Sequence, residues 1–278
     1  SGGNAISTIG TATITNAGLI GNGTVSGGVY TASGTGYAIS VAGGTITNSG
    51  TIRGASSGIY SSNGLTLTNT GTISGGQGGT SMWLDGVSSI NAPSTILNAG
   101  TISAPVYSAV VVEGGTVTNA GGGTLTGGSD SIYGVAVQFI ETGGTFTNYG
   151  SATGAGAGAV RVNTAGAATT INLHAGSTTG SILLNSGNDT VTIYNGRGST
   201  GAATVDGASG LTLQAAGTLA AASFGAINMG GGTNTLTLRG AGDGTAANGA
   251  AGTMAMGSIT GLTNLSKLDS GTWTLTGA

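Results

Sequence analysis

Apolar and polar residues alternate in short bursts along this chain, and the bursts repeat. Ile14-Thr15-Asn16-Ala17-Gly18-Leu19-Ile20 returns as Ile46-Thr47-Asn48-Ser49-Gly50-Thr51-Ile52, as Leu67-Thr68-Asn69-Thr70-Gly71-Thr72-Ile73 and as Ile96-Leu97-Asn98-Ala99-Gly100-Thr101-Ile102. Looser versions surround Asn119 and Asn148. A period of two marks β-strand, in which Ile46 and Asn48 point to one side and Thr47 to the other. The Gly-Thr-Ile that follows makes a second short strand, with Ile52 inward. A third strand is carried by Ala38-Ile39-Ser40-Val41, Ala109-Val110-Val111-Val112, Gly134-Val135-Ala136-Val137 and Ala159-Val160-Arg161-Val162. Frequent glycine among Thr, Val and Ile opposes helix throughout.

After a first interval of 32 residues, the phrase asparagines recur at intervals of 21 and 29 in turn. A unit near 21 residues with insertions in alternate copies fits this spacing, and such a period signals a repeat architecture. The pattern predicts an all-β fold, a right-handed parallel β-helix of about a dozen coils with three short strands per coil, roughly 50–60 Å long. The chain reads as one domain over residues 1–278, with regular asparagine-corner repeats in 1–165 and less regular coils in 166–278. In the latter, strands are expected at Thr170-Ile171-Asn172-Leu173, Ser181-Ile182-Leu183-Leu184, Thr190-Val191-Thr192-Ile193, Leu211-Thr212-Leu213, Thr235-Leu236-Thr237-Leu238, 259–268 and 272–276.

The corner asparagine is expected to point inward and to bond to its equivalents in neighbouring coils, forming a ladder. The glycine two residues later is expected to supply left-handed backbone for the turn. Insertions at 22–36, 75–80, 86–93 and 127–133 read as loops, where specific contacts are most expected. The Gly/Ala-rich stretch 240–257 reads as a flexible excursion.

Composition narrows the classes. Of 278 residues 60 are glycine, only five are Lys or Arg and eight Asp or Glu. An ordinary soluble surface carries about five times as many charges, so Ser, Thr and Asn must supply the polar exterior. The net charge of −3 and the scattered Arg53, Arg161, Arg197, Arg239 and Lys267 offer no patch for a run of phosphates, which argues against nucleic acid. No apolar run is long enough to span a bilayer. Cysteine is absent, which removes a disulfide framework and fits export in an unfolded state. A start at Ser-Gly-Gly and an end on Thr-Trp-Thr-Leu-Thr-Gly read as a piece of a longer polypeptide.

The repeats over 10–165 resemble those of adhesin-type passenger regions of bacterial autotransporters, the type V secreted proteins. The later motifs add to this: Gly187-Asn188-Asp189-Thr190-Val191-Thr192-Ile193-Tyr194-Asn195-Gly196, Gly231-Gly232-Thr233-Asn234-Thr235-Leu236-Thr237-Leu238, Leu262-Thr263-Asn264-Leu265-Ser266-Lys267-Leu268 and Gly271-Thr272-Trp273-Thr274-Leu275-Thr276-Gly277. Their succession is similar to the last coils before an autochaperone segment and an outer-membrane barrel. The resemblance implies export through the outer membrane, display at the cell surface, and adhesion, autoaggregation or biofilm formation. It implies as partners like passenger molecules on neighbouring cells, host or abiotic surfaces of protein or glycan, and a C-terminal outer-membrane barrel. It carries over no catalytic, cofactor or metal residue, and a non-enzyme is expected.

Gly54-Ala55-Ser56-Ser57-Gly58 spells a nucleophile elbow, but no helix follows and the one histidine, His174, lies far along the chain. His174 alone makes no metal site, and alternation turns it outward. Gly196-Arg197-Gly198-Ser199-Thr200-Gly201 spells a dinucleotide loop without the helix it needs. Gly187-Asn188-Asp189-Thr190-Val191 is similar to one copy of a calcium-binding β-roll repeat, where tandem copies are required. Asp85, Glu113, Asp130 and Glu141 fall near the third strand, where two could pair as in a polysaccharide hydrolase or lyase. A calcium- or ice-dependent structural adhesin is the remaining alternative. Trp83, Tyr107, Tyr133, Phe139 and Tyr149 gather in the longer coils as either an outward platform or core plugs, with Phe146 expected inside and Tyr149 outside.

Overall fold

The computed structural model describes residues 3–27, 29–32, 34–76, 85–164, 167–173, 178–180, 182–184 and 189–194, and beyond these strand segments at 205–206, 212–216, 227–228, 235–239, 251–255, 259–260, 264–268 and 272–277. It is a parallel β-helix with three strands per coil. In each coil the chain passes through sheet A (for example Ile39–Val41), then sheet B (Gly43–Asn48), then sheet C (Thr51–Arg53), before rising to the next coil. Among the described residues sheets A and B each hold 11 parallel strands and sheet C holds seven. No helix among them is long and apolar enough to cross a membrane.

Registers stack like on like. In sheet B, Ile14, Ile46, Leu67, Ile96, Val117, Phe146 and Ile171 lie over one another. In sheet C, Ile20, Ile52, Ile73, Ile102, Leu125 and Ala152 do the same. Sheet A closes the core with Ile39, Ile59, Val87, Val110, Val137, Val160 and Ile182, all buried. Each such side chain contributes roughly 1.5–3 kcal/mol through burial. One coil holds both Phe139 and Phe146, fully buried, and the extra volume is offset by Ala152 where other coils have Ile or Leu and by Gly144 against the Phe139 ring. Phe139 is therefore a core plug, as is Phe146, while Tyr149 is 43% exposed.

The asparagine ladder forms. Asn16, Asn48, Asn69, Asn98 and Asn119 each donate through Nδ2 to Oδ1 of the next asparagine, ending on Asn148, at 2.7–2.9 Å. The register partner of Asn148 in the following coil is Leu173, so the ladder stops where the sequence phrase fades.

The glycine after each corner has a different role from the expected one. Gly50, Gly71, Gly100 and Gly150 do not adopt left-handed backbone. They are required because coils stack here backbone on backbone: a Cβ on Gly71 would stand 2.1 Å from the Gly50 carbonyl oxygen, and one on Gly100 2.1 Å from that of Gly71. Left-handed glycines sit instead at the A-to-B corner, as at Gly43-Gly44 and Gly114-Gly115. Gly71→Ala is accordingly expected to cost about 1–3 kcal/mol, the range for forcing packed structure apart. Gly18→Ala, with nothing within 4 Å, is the control and should leave the urea midpoint unchanged.

Two insertions and the Gly/Ala-rich stretch differ from plain loops. Within 22–36 the segments Gly23–Ser26 and Val29–Ala32 pair antiparallel as a hairpin, with Gly27 in left-handed backbone after the first strand. Its Tyr30 packs over Gly21, donates its hydroxyl to the Arg53 carbonyl at 3.1 Å and lies 5.8 Å from the Arg53 guanidinium. Within 86–93, Val87–Ser89 is a full sheet-A strand, hidden in sequence because two of its three residues are serine. Ala251–Ala255, inside the presumed excursion, is a strand paired with Thr272–Thr276. Residues 77–80 and 240–250 lie outside the described residues.

Two outward columns run along the first seven strands of sheet B. One reads Thr13, Thr45, Thr66, Thr95, Thr116, Thr145, Thr170 and the other Thr15, Thr47, Thr68, Leu97, Thr118, Thr147, Asn172. The face carries no charge in these coils. Its hydroxyl and methyl groups repeat about every 4.8 Å along the helix axis.

Candidate functional site

The longer coils build a half-open cavity of about 400 Å³ on the outer side of sheet A, lined by Asp85, Tyr107, Val111, Tyr133, Gln138, Ile140 and Asn163. Val111 and Gln138 are neighbours in register, and Arg161 follows Gln138 in the next coil. Two connections from sheet C to sheet A supply the walls. Residues 104–108 carry Tyr107, and residues 128–134 carry Tyr133; the second segment docks on the first through the Ser129 and Asp130 amides, which donate to the Pro105 and Val106 carbonyls at 3.1 and 2.9 Å.

The Asp130 carboxylate holds the Tyr133 loop. Its Oδ1 accepts from the Ile132 and Tyr133 amides at 2.9 and 2.8 Å. Those two backbone donors, Tyr133 foremost, and the nearby Arg161 guanidinium keep the carboxyl below the ordinary aspartate range. Arg161 in turn donates to the Ile132 carbonyl, donates from Nε to Asn163 Oδ1 at 2.7 Å, and lies 5.3 Å from the centre of the Tyr133 ring. Tyr107 and Tyr133 meet edge to face, ring centres 6.1 Å apart.

Asp85 lies in the cavity wall and is 3% exposed. It accepts from the Ser108 amide at 3.1 Å, and Ser108 Oγ lies 2.8 Å from the Tyr133 carbonyl and 3.0 Å from Gln138 Oε1, within donating distance of both with its single proton. Burial dominates its chemistry: loss of water pushes the carboxyl up from 3.8 to about 7, against the one backbone donor that pulls it down. A second aromatic pair, Tyr37 and Tyr60, stacks at 4.8 Å. Burial first, then Tyr60 and Asp85, raise the Tyr37 phenol.

The four carboxylates singled out from sequence do not act as one group. Asp85 and Asp130 precede their sheet-A strands, whereas Glu113 and Glu141 follow theirs, at the opposite ends of the strands. Glu113 accepts from the Asn91 amide, and Glu141 and Asn91 occupy left-handed corner backbone, so both glutamates belong to the turns into sheet B. Among the described residues no three His, Cys, Asp or Glu side chains gather as a metal site. Ser56 is buried and its hydroxyl donates to the Thr35 carbonyl at 2.6 Å. Asp189 is buried and accepts from the Thr169 amide at 2.8 Å, bridging adjacent coils. Trp83, His174, 187–188 and 196–201 lie outside the described residues.

Four lining residues were not singled out from sequence: Val111, Gln138, Ile140 and Asn163. Gln138 had a readable signal, being the one amide in the otherwise apolar, fully buried strand Val135–Phe139. The others depend on which coils the insertions shield, a tertiary fact. Comparisons with family models, with curated proteins and with solved structures find no match, so the site is read from its own chemistry.

Proposed function

We propose that this chain is a passenger-type β-helix that is exported, displayed at the bacterial cell surface and works by contact, mediating adhesion, autoaggregation or biofilm formation. One observation carries the reading: over seven described coils the sheet-B face is an uncharged lattice of threonines, regular enough to meet a like face or an extended surface across many weak hydrogen bonds. Each contact is small, but the repeat multiplies it. The resemblance of the repeats to autotransporter passengers supports the surface setting, and the absence of cysteine accords with export.

Catalytic hydrolysis of a glycan by paired carboxylates needs two of them astride one bond. The described lining of the cavity brings one, Asp85, whose environment favours the neutral acid. The surface reading is tested by cells displaying the chain on a carrier anchor against cells displaying the anchor alone. Faster settling and greater retention on a surface are expected of the first, with little loss at high salt because exposed charge is scarce. Equal settling of the two would refute the reading.

A further inference from the structure

We propose that the cavity on sheet A is a recognition site for an uncharged saccharide, one or two sugar rings of a neutral glycan, bound without cleavage. The proposal deepens the contact reading above by naming what the insertions, as distinct from the repeats, recognise.

Three features converge on this ligand class. First, the cavity, about 400 Å³, falls within the range of small-ligand sites, at its lower end. Second, it pairs aromatic and aliphatic surface with planar hydrogen-bonding groups. Tyr107, Tyr133, Val111 and Ile140 present carbon to the C–H face of a pyranose, and Asp85, Gln138 and Asn163 present oxygen and nitrogen to its hydroxyls. Hydroxyl groups both donate and accept, and amides do too, which suits a ligand that is all hydroxyl. Third, the site is electrically balanced. The nearby cation, Arg161, is engaged by the Ile132 carbonyl, Asn163 and the Tyr133 ring, with the ionised Asp130 close enough to be stabilised by it. No free positive group among the described lining residues is left to hold a uronate or a sulfate.

The site is also organised in advance. The Tyr133 loop is held by the hydrogen bonds that the Ile132 and Tyr133 amides donate to the Asp130 carboxylate and by the docking of Ser129 and Asp130 on Pro105 and Val106, so ring orientation is set before a ligand arrives. Ser108 fixes the opposite wall by joining Asp85 to Gln138. Asp130 is in this sense a positioning residue for Tyr133.

Calorimetric titration of the purified chain with cellotriose, maltotriose, mannotriose and trigalacturonate tests the proposal. At least one neutral trisaccharide should bind, and more tightly than trigalacturonate. Tyr133→Ala should weaken that binding tenfold or more, Tyr133→Phe should retain it, and Tyr149→Ala, on the exposed corner outside the cavity, should leave it unchanged. Circular dichroism and a thermal melt establish that each variant is folded; Tyr133→Phe keeps the comparison meaningful if the alanine variant is not. No binding of any neutral sugar, preference for trigalacturonate, or equal effects of Tyr133→Ala and Tyr149→Ala would overturn the proposal. Clumping without sugar binding would leave the contact reading standing and remove this one, and sugar binding without clumping would do the reverse.

Discussion

Asn69→Ala is expected to lower the unfolding free energy by about 3–5 kcal/mol, more than any outward substitution on the same strand. The side chain is fully buried, accepts from Asn48 Nδ2 at 2.8 Å and donates to Asn98 Oδ1 at 2.7 Å, with the Gly71 and Thr101 carbonyls as further acceptors at 3.2 and 3.3 Å. Alanine leaves a buried donor on one side and a buried acceptor on the other, each costing about 1–3 kcal/mol, besides the carbonyls of the turn. The damage is local, since a solenoid transmits stability between neighbouring coils. Asn16→Ala provides the comparison: Asn16 heads the ladder, donates one hydrogen bond to Asn48 and receives none from an earlier asparagine, so its loss should cost less. Urea unfolding followed by circular dichroism measures both. A cost below about 1 kcal/mol for Asn69→Ala would mean that the ladder follows from the fold and does not support it.

Asp85→Asn is expected to stabilise the protein at alkaline pH and to do little near pH 4. The folded-state carboxyl is raised from 3.8 to about 7, chiefly by burial, so folding favours the protonated acid. Its contribution is then fully present below the unfolded value and is lost as pH rises through about 7, where ionisation must occur inside the fold. The displacement corresponds to roughly 4 kcal/mol at full ionisation. Asparagine keeps an acceptor for the Ser108 amide and cannot ionise, so the variant and the parent should coincide at low pH and diverge between about pH 4 and 7. Unfolding curves for both proteins across that range decide it. A parent that is more stable than Asp85→Asn at pH 8 would show the carboxylate to be stabilised by a charge partner.

The two results probe different layers of one design, and those layers were unequally readable. The core and the ladder were legible because they repeat: Ile46 over Leu67 over Ile96, and Asn48 over Asn69 over Asn98, follow directly from a phrase that returns in register. The glycine of the phrase was visible but its reason was not. A left-handed turn and a backbone-to-backbone stack both demand glycine, and what separates them is the backbone of Gly71, which is not left-handed, and the 2.1 Å that a Cβ there would have to the Gly50 carbonyl oxygen. Val87–Ser89 escaped notice because a strand shielded on both faces has no need to alternate, and serine there mimics a loop. The cavity was least legible of all. Tyr107 and Tyr133 stood out as aromatic, but their meeting with Asp85, Gln138 and Asn163 depends on connections from separate coils folding toward one place on sheet A. No single-coil pattern encodes that convergence.

Repetition and interruption thus have separate tasks. The repeat lays down stacked coils with a neutral threonine face, and a small cavity, proposed above to take a neutral sugar, lies on another side of them. Contact through the threonine face is tested most directly by charging it. Thr47→Lys, Leu97→Lys and Thr147→Lys together place three like charges on alternate coils of one outward column without touching the core or the ladder. Cells displaying this variant should settle no faster than cells displaying the anchor alone, while the purified variant melts as the parent does. A folded variant that clumps as well as the parent would contradict the account.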